Sequence, residues 1–256
     1  MGFRAWDSSF TFDGIYIRHY NKSLVKNRNA ILRCLFIIVL FCVPQSYTSF
    51  KVFLESSQKD FTYYNFIFDF NDALRRLVQI IHYTLPVVIL IILTNESFAE
   101  YGFNKVTVKE LLKSLLRLFC LALIFSIVFR LFNLRLNQKF NYGYIFNLSK
   151  EEKNTTLLIV IHLLLTFLMA FEEELLFRSF LYKNLNKIIE NKWICMVIVN
   201  ILFGIGHIYQ GIIAVFITFF YGIINSIEFK KHNNLYTISI FHALRNIFAF
   251  VLRTIL

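Results

Sequence analysis

Long, nearly uninterrupted apolar runs dominate this chain, and they leave it few architectures. They lie at about residues 30–48, 77–94, 110–132, 155–182, 192–208, 211–228 and 235–254. Most approach the ~20 residues that a helix needs to cross the hydrocarbon of a bilayer. Only 17% of the 256 residues are charged, against about a quarter in an ordinary soluble domain. The pattern predicts an all-α polytopic membrane protein, with about seven transmembrane helices in one bundle. The polar, aromatic stretch from Ser49 to Arg76 has room for an eighth. Its second half, Phe61-Thr-Tyr-Tyr-Asn-Phe-Ile-Phe-Asp-Phe70, is amphipathic enough to lie on the membrane surface or to extend the next helix. Pro86 is expected to kink the second span.

Residues 1–29 read as a basic tail carrying Arg4, Arg18, Lys22, Lys26 and Arg28, and 30–256 as the membrane domain. The net charge of +11 would suggest nucleic acid in a soluble protein. Here the basic residues fall mostly in loops and at helix ends, where the positive-inside rule and anionic headgroups account for them. Membrane lipid is therefore the expected partner, and nucleic acid is not. The loops at 95–110 and 183–192, with Lys230 and Lys231, give an N-inside orientation. Phe, Ile, Leu, Asn and Lys dominate, as AT-rich coding would produce, which points to a bacterial cytoplasmic membrane. No cleavable signal peptide is expected, and Trp6 breaks the myristoylation pattern after Gly2. Cys34, Cys42, Cys120 and Cys195 show no CxxC spacing and read as buried free thiols. There is no internal repeat.

Against that apolar background, three short constellations stand out. Glu172, Glu173 and Glu174, then Arg178, lie inside the fourth run. A charged side chain at bilayer depth costs roughly 2.5–3.5 kcal/mol on insertion scales, so such residues need a reason. Glu174 and Arg178 are spaced i, i+4 and can pair, while Glu173 is turned off that face and is free to point into a cavity. Phe203-Gly-Ile-Gly-His207 closes the fifth run, with Asn200 on roughly the same face as His207. His242 and Asn246 project together from the seventh run. Arg245 either pairs with Glu172 or snorkels, and spacing leaves both open. Each piece alone has a structural reading: a buried ion pair, an interfacial histidine, an interhelical hydrogen bond. His162, His82, His19 and His232 are given no catalytic role.

Taken jointly, Glu-Glu-x-x-x-Arg, Phe-x-x-x-His and His-x-x-x-Asn occur in order, in separate apolar segments of the C-terminal half. The pattern resembles the CPBP family of intramembrane glutamic endopeptidases, which includes type II CAAX prenyl endopeptidases and bacterial bacteriocin-processing or self-immunity proteins. The resemblance covers about 155–254 and matches at Glu173, Glu174, Arg178, Phe203, His207, His242 and Asn246. It implies hydrolysis of a peptide bond in a membrane-associated peptide or protein, without a covalent intermediate. Glu173 would activate a water that His207 helps to position. His242 and Asn246 would donate to the oxyanion, and Arg178 would keep Glu174 company. No cofactor is implied. Zinc on two imidazoles and a glutamate is conceivable, but His-Glu-x-x-His is missing and the ligands would come from three helices. A non-catalytic membrane partner, an immunity protein or a regulator of a sensor kinase or cell-wall enzyme, is the alternative. A transporter is disfavoured, since the chain lacks repeated halves and matching helix breaks.

Overall fold

A computed structural model describes residues 28–57, 64–136, 144–148 and 155–255; the basic tail before Arg28, with His19, lies outside them, and Arg28 and Asn29 belong to the first helix. Seven long helices carry the fold. They are α1 (28–57), α2 (Phe70–Leu93), α3 (Val108–Leu136), α4 (155–185), α5 (Lys192–Ile205), α6 (Ile212–His232) and α7 (Leu235–Ile255). Five of them are long and apolar enough to cross a membrane: α1 to α4 and α6. Helix α5, with 14 residues, spans only about 21 Å at 1.5 Å per residue. Exposed Leu93, Leu116, Leu123 and Leu164 suit contact with lipid and would be costly in water.

The stretch after residue 48 corrects the sequence expectation. Helix α1 runs on to residue 57, and no eighth helix forms among the described residues of 49–76. Instead, Tyr64–Phe68 is a strand, β1, paired in parallel with β2, Tyr144–Leu148. Aromatic and β-branched residues suit a strand. Asp69 then sets the start of α2, because its side chain accepts the Asp72 N–H at 2.7 Å. Thr107 and Glu110 form a capping box that starts α3, with Thr107 N–H donating to Glu110 at 3.1 Å. Helix α2 continues through Pro86.

The largest core surrounds the middle of α4. Ile37 and Phe41 of α1, Val87 and Ile91 of α2, Val199 and Phe203 of α5 and Ile238 of α7 all pack around Leu175–Leu181. Within α4 that segment has π-helical hydrogen bonding, a wider turn that often marks functional sites. Helix α5 ends at Ile205, earlier than the expected residue 208. Gly204 lets it approach α6 closely: a β-carbon there would lie 2.9 Å from the Val215 carbonyl oxygen. The Ser49 hydroxyl of α1 donates to the Gly206 carbonyl at 2.6 Å, fastening the break between α5 and α6.

The basic loops expected on one side of the membrane do share one face. Lys187 and Lys183 meet Glu96 and Glu100, and Arg33 of α1 reaches Asn184 at 3.4 Å. Asn104 donates to the Asn233 carbonyl, joining the loop after α2 to the α6–α7 turn. Gly102, at φ +88°, sits where a β-carbon would strike the Phe229 ring, so only glycine fits both the backbone and the space.

Candidate active site

Glu174 and Arg178 are completely buried and pair as their spacing predicts, Oε2 to Nε at 3.4 Å. One helix cannot satisfy them, so the remaining contacts come from its neighbours. Arg178 Nη2 donates to Asn200 Oδ1 of α5 at 2.8 Å, and its guanidinium lies 4.1 Å from the centre of the Phe203 ring. Asn200 in turn donates to Ser226 of α6 at 2.9 Å and to the Met196 carbonyl. Glu174 Oε1 accepts from Asn225 Nδ2 of α6 and from His242 Nδ1 of α7, both at 2.8 Å.

His242 thus links the two glutamates. Its Nδ1 is committed to Glu174, and its Nε2 lies 3.6 Å from Glu173 Oε2. A carboxylate oxygen accepts, so Nδ1 carries a proton, and Nε2 faces Glu173. Glu173 is the more accessible acid, with its side chain 19% exposed. His207 and His242 flank the same Phe203 ring, at centroid distances of 4.7 and 6.2 Å. His207 Nδ1 donates to the Phe203 carbonyl at 2.9 Å, which leaves Nε2 as its acceptor.

Arg178, His207 and His242 therefore meet around Phe203, and Glu173 and Glu174 both face His242. Asn246 lies one turn after His242 on α7. Arg245 takes neither of the positions left open by spacing. It stacks 4.4 Å above Tyr221 and donates to Asn246 Oδ1 at 3.1 Å. An arginine can only donate, so the Asn246 amide oxygen faces Arg245 and its NH2 is left for another acceptor. Asn200 serves Arg178; the expectation had placed it beside His207. Glu172 is nearly buried, 5% exposed.

The contribution of α6 was not read from the sequence. Gly222, Asn225 and Ser226 lie on one turn in the middle of α6, under the Glu174–Arg178 pair. A β-carbon at Gly222 would collide with Asn200 Oδ1 and Arg178 Nη2. The one available signal was the i, i+3, i+4 spacing of small and polar residues within Tyr-Gly-Ile-Ile-Asn-Ser.

The residues facing this site fall in one stretch of the chain. Residues 153–248 match the family model described as type II CAAX prenyl endopeptidase Rce1-like. The matched stretch holds all six expected site residues and the α6 turn beneath them. It is the family expected from the three motifs, and it supports a peptidase kind of function and a membrane location. No curated protein and no solved structure matches the chain. Among the described residues, no three His, Cys, Asp or Glu side chains are grouped so that they could hold a metal ion.

Proposed function

We propose that the chain is an intramembrane endopeptidase that hydrolyses a peptide bond in a membrane-associated peptide or protein by glutamate-activated water. The observation that carries this reading is the placement of one imidazole between two unlike carboxylates. Glu174 is sealed and balanced by Arg178 and Asn225, while Glu173 is partly open and faces His242 Nε2.

In the proposed reaction, Glu173 takes a proton from a water whose other hydrogen is held by His207 Nε2. The hydroxide bonds to the carbonyl carbon of the scissile peptide, and the carbonyl electrons move to oxygen. Asn246 donates to that oxygen from its NH2, which Arg245 turns away from itself. His242 enters this step already as an imidazolium, its Nδ1–H held by Glu174; it donates its Nε2–H to the oxyanion and keeps both protons throughout, so its charge offsets that of the oxyanion. Collapse breaks the C–N bond, and the proton held by Glu173 goes to the leaving nitrogen. A dry surrounding strengthens each of these interactions.

The substrate class is a peptide that reaches the site from the membrane: a prenylated tail, as the family's name describes, or a leader peptide in a bacterial host. We place the face shared by Arg33, Lys183, Lys187, Lys230 and Lys231 in the cytoplasm, because lysine and arginine gather there. The test is cleavage, in detergent, of two internally quenched peptides, one ending in a farnesyl-cysteine tail and one an unmodified amphipathic leader. Purified protein is compared with Glu173→Gln. Cleavage by the first and none by the second is expected. Equal rates would remove Glu173 from the reaction, and no cleavage by either would favour the non-catalytic partner.

A further inference from the structure

Asn225 belongs to none of the three motifs, yet its amide shares Glu174 Oε1 with His242. Glu174 Oε1 accepts two hydrogen bonds, from Asn225 Nδ2 and from His242 Nδ1. Its other oxygen stands 3.4 Å from Arg178 Nε, too poorly aligned to count as a hydrogen bond. Arg178 is a strong competitor for this carboxylate. It is fully buried, and its Nε and Nη1 have no hydrogen-bond partner among the described residues. Nε and Nη1 lie on different edges of the planar guanidinium, so what Arg178 lacks toward Glu174 is one close, aligned acceptor at Nε. A small rotation of the Glu174 side chain would supply one, and it would pull Oε1 away from His242.

Asn225 opposes that rotation from a separate helix. It is 4% exposed and sits one turn after Gly222, whose missing side chain lets α6 approach Arg178 and Asn200. The adjacent Ser226 accepts from Asn200, which fixes the same turn of α6 against α5.

We propose that Asn225 is a positioning residue: it holds Glu174 on His242 and off Arg178, and so keeps His242 Nε2 directed at Glu173. The proposal rests on Glu173 and His242 carrying the reaction, so its test has one arm that needs no turnover. The variants are Asn225→Leu, which keeps the shape without the donor, Asn225→Ala, and Asn225→Gln, which restores an amide. In the first arm, cleavage of the quenched farnesyl-cysteine peptide is followed. Asn225→Leu lowers kcat roughly 10- to 100-fold, the scale of a misplacement of about 1 Å, and leaves KM nearly unchanged. In the second arm, the protein is labelled with 15N-histidine, and the downfield Nδ1–H signal of His242 is assigned by its loss in His242→Gln. That signal moves upfield or disappears in Asn225→Leu and returns in Asn225→Gln.

A folded Asn225→Leu protein with the wild-type Nδ1–H signal overturns the proposal, whatever its activity. If Asn225→Leu does not fold, Asn225→Ala supplies both readings. If the wild-type protein cleaves no peptide, the failure belongs to the functional reading, and the histidine signal alone decides the role of Asn225.

Discussion

Helix α4 carries two clusters of opposite charges, and they are built in opposite ways. Near its end, Lys183 and Lys187 meet Glu96 and Glu100 at the membrane face, partly exposed to solvent. Glu96 is saturated there: Lys187 bonds both of its oxygens at 2.6 and 2.8 Å, and Tyr101 donates at 2.9 Å. Burial pushes its carboxyl up, but the bonds from Lys187, Lys183 and Tyr101 outweigh that and bring it from 4.5 down to about 2. Two to three turns earlier, Glu174 and Arg178 are sealed, held mainly by neutral amides from two other helices, and left with unmet donors. The first cluster is a staple for loops. The second trades satisfaction for direction, because every contact it keeps points Glu174 or Arg178 at a particular neighbour.

The comparison breaks most sharply at Glu173. Glu173→Gln should lower peptide cleavage about 10³-fold, within the range for loss of a general base, at unchanged protein level and melting temperature. A parallel fall in stability would make Glu173 another structural charge. Next in size is Arg178→Met, which strands Glu174 without its cation. It should cost about 3–5 kcal/mol, read by denaturation in detergent or by failure to accumulate. Stability equal to wild type would mean that the sealed cluster is not held by charge. Gly222→Ala should cost about 1–3 kcal/mol through overpacking and reduce activity with it. The smallest effect is expected at the staple. Glu96→Gln should change stability by about 1 kcal/mol or less, and the change should shrink further in high salt. Because the folded carboxyl of Glu96 lies below its usual value, its contribution is complete above about pH 4.5 and fades as pH falls through about 2. An acid melting series of wild type against Glu96→Gln checks this: the two curves should converge at low pH.

Features written into one helix were legible. Glu174 and Arg178 are four residues apart, so helical spacing alone predicts their pairing, and the motifs also held His242 and Phe203, which meet that pair. What the sequence hid came from elsewhere in the chain. Asn225 is a single amide in an apolar helix, and its partner lies 51 residues away. Arg245 had two plausible uses by spacing and took a third, on Tyr221 and Asn246. The stretch Tyr64–Phe68 was read as helix or surface because its partner strand, Tyr144–Leu148, cannot be inferred from local composition.

The hydroxyl of Ser49 on the carbonyl of Gly206 reaches further than its size suggests. It joins α1, which lies outside the matched stretch, to the point where α5 gives out, one residue before His207. The limit of similarity at residue 153 is therefore not a seam in the folded molecule. Excising residues 153–248 would strip the wall that α1 and α2 provide around Leu175–Leu181, and the chemistry would have to be rebuilt on a half-open shell.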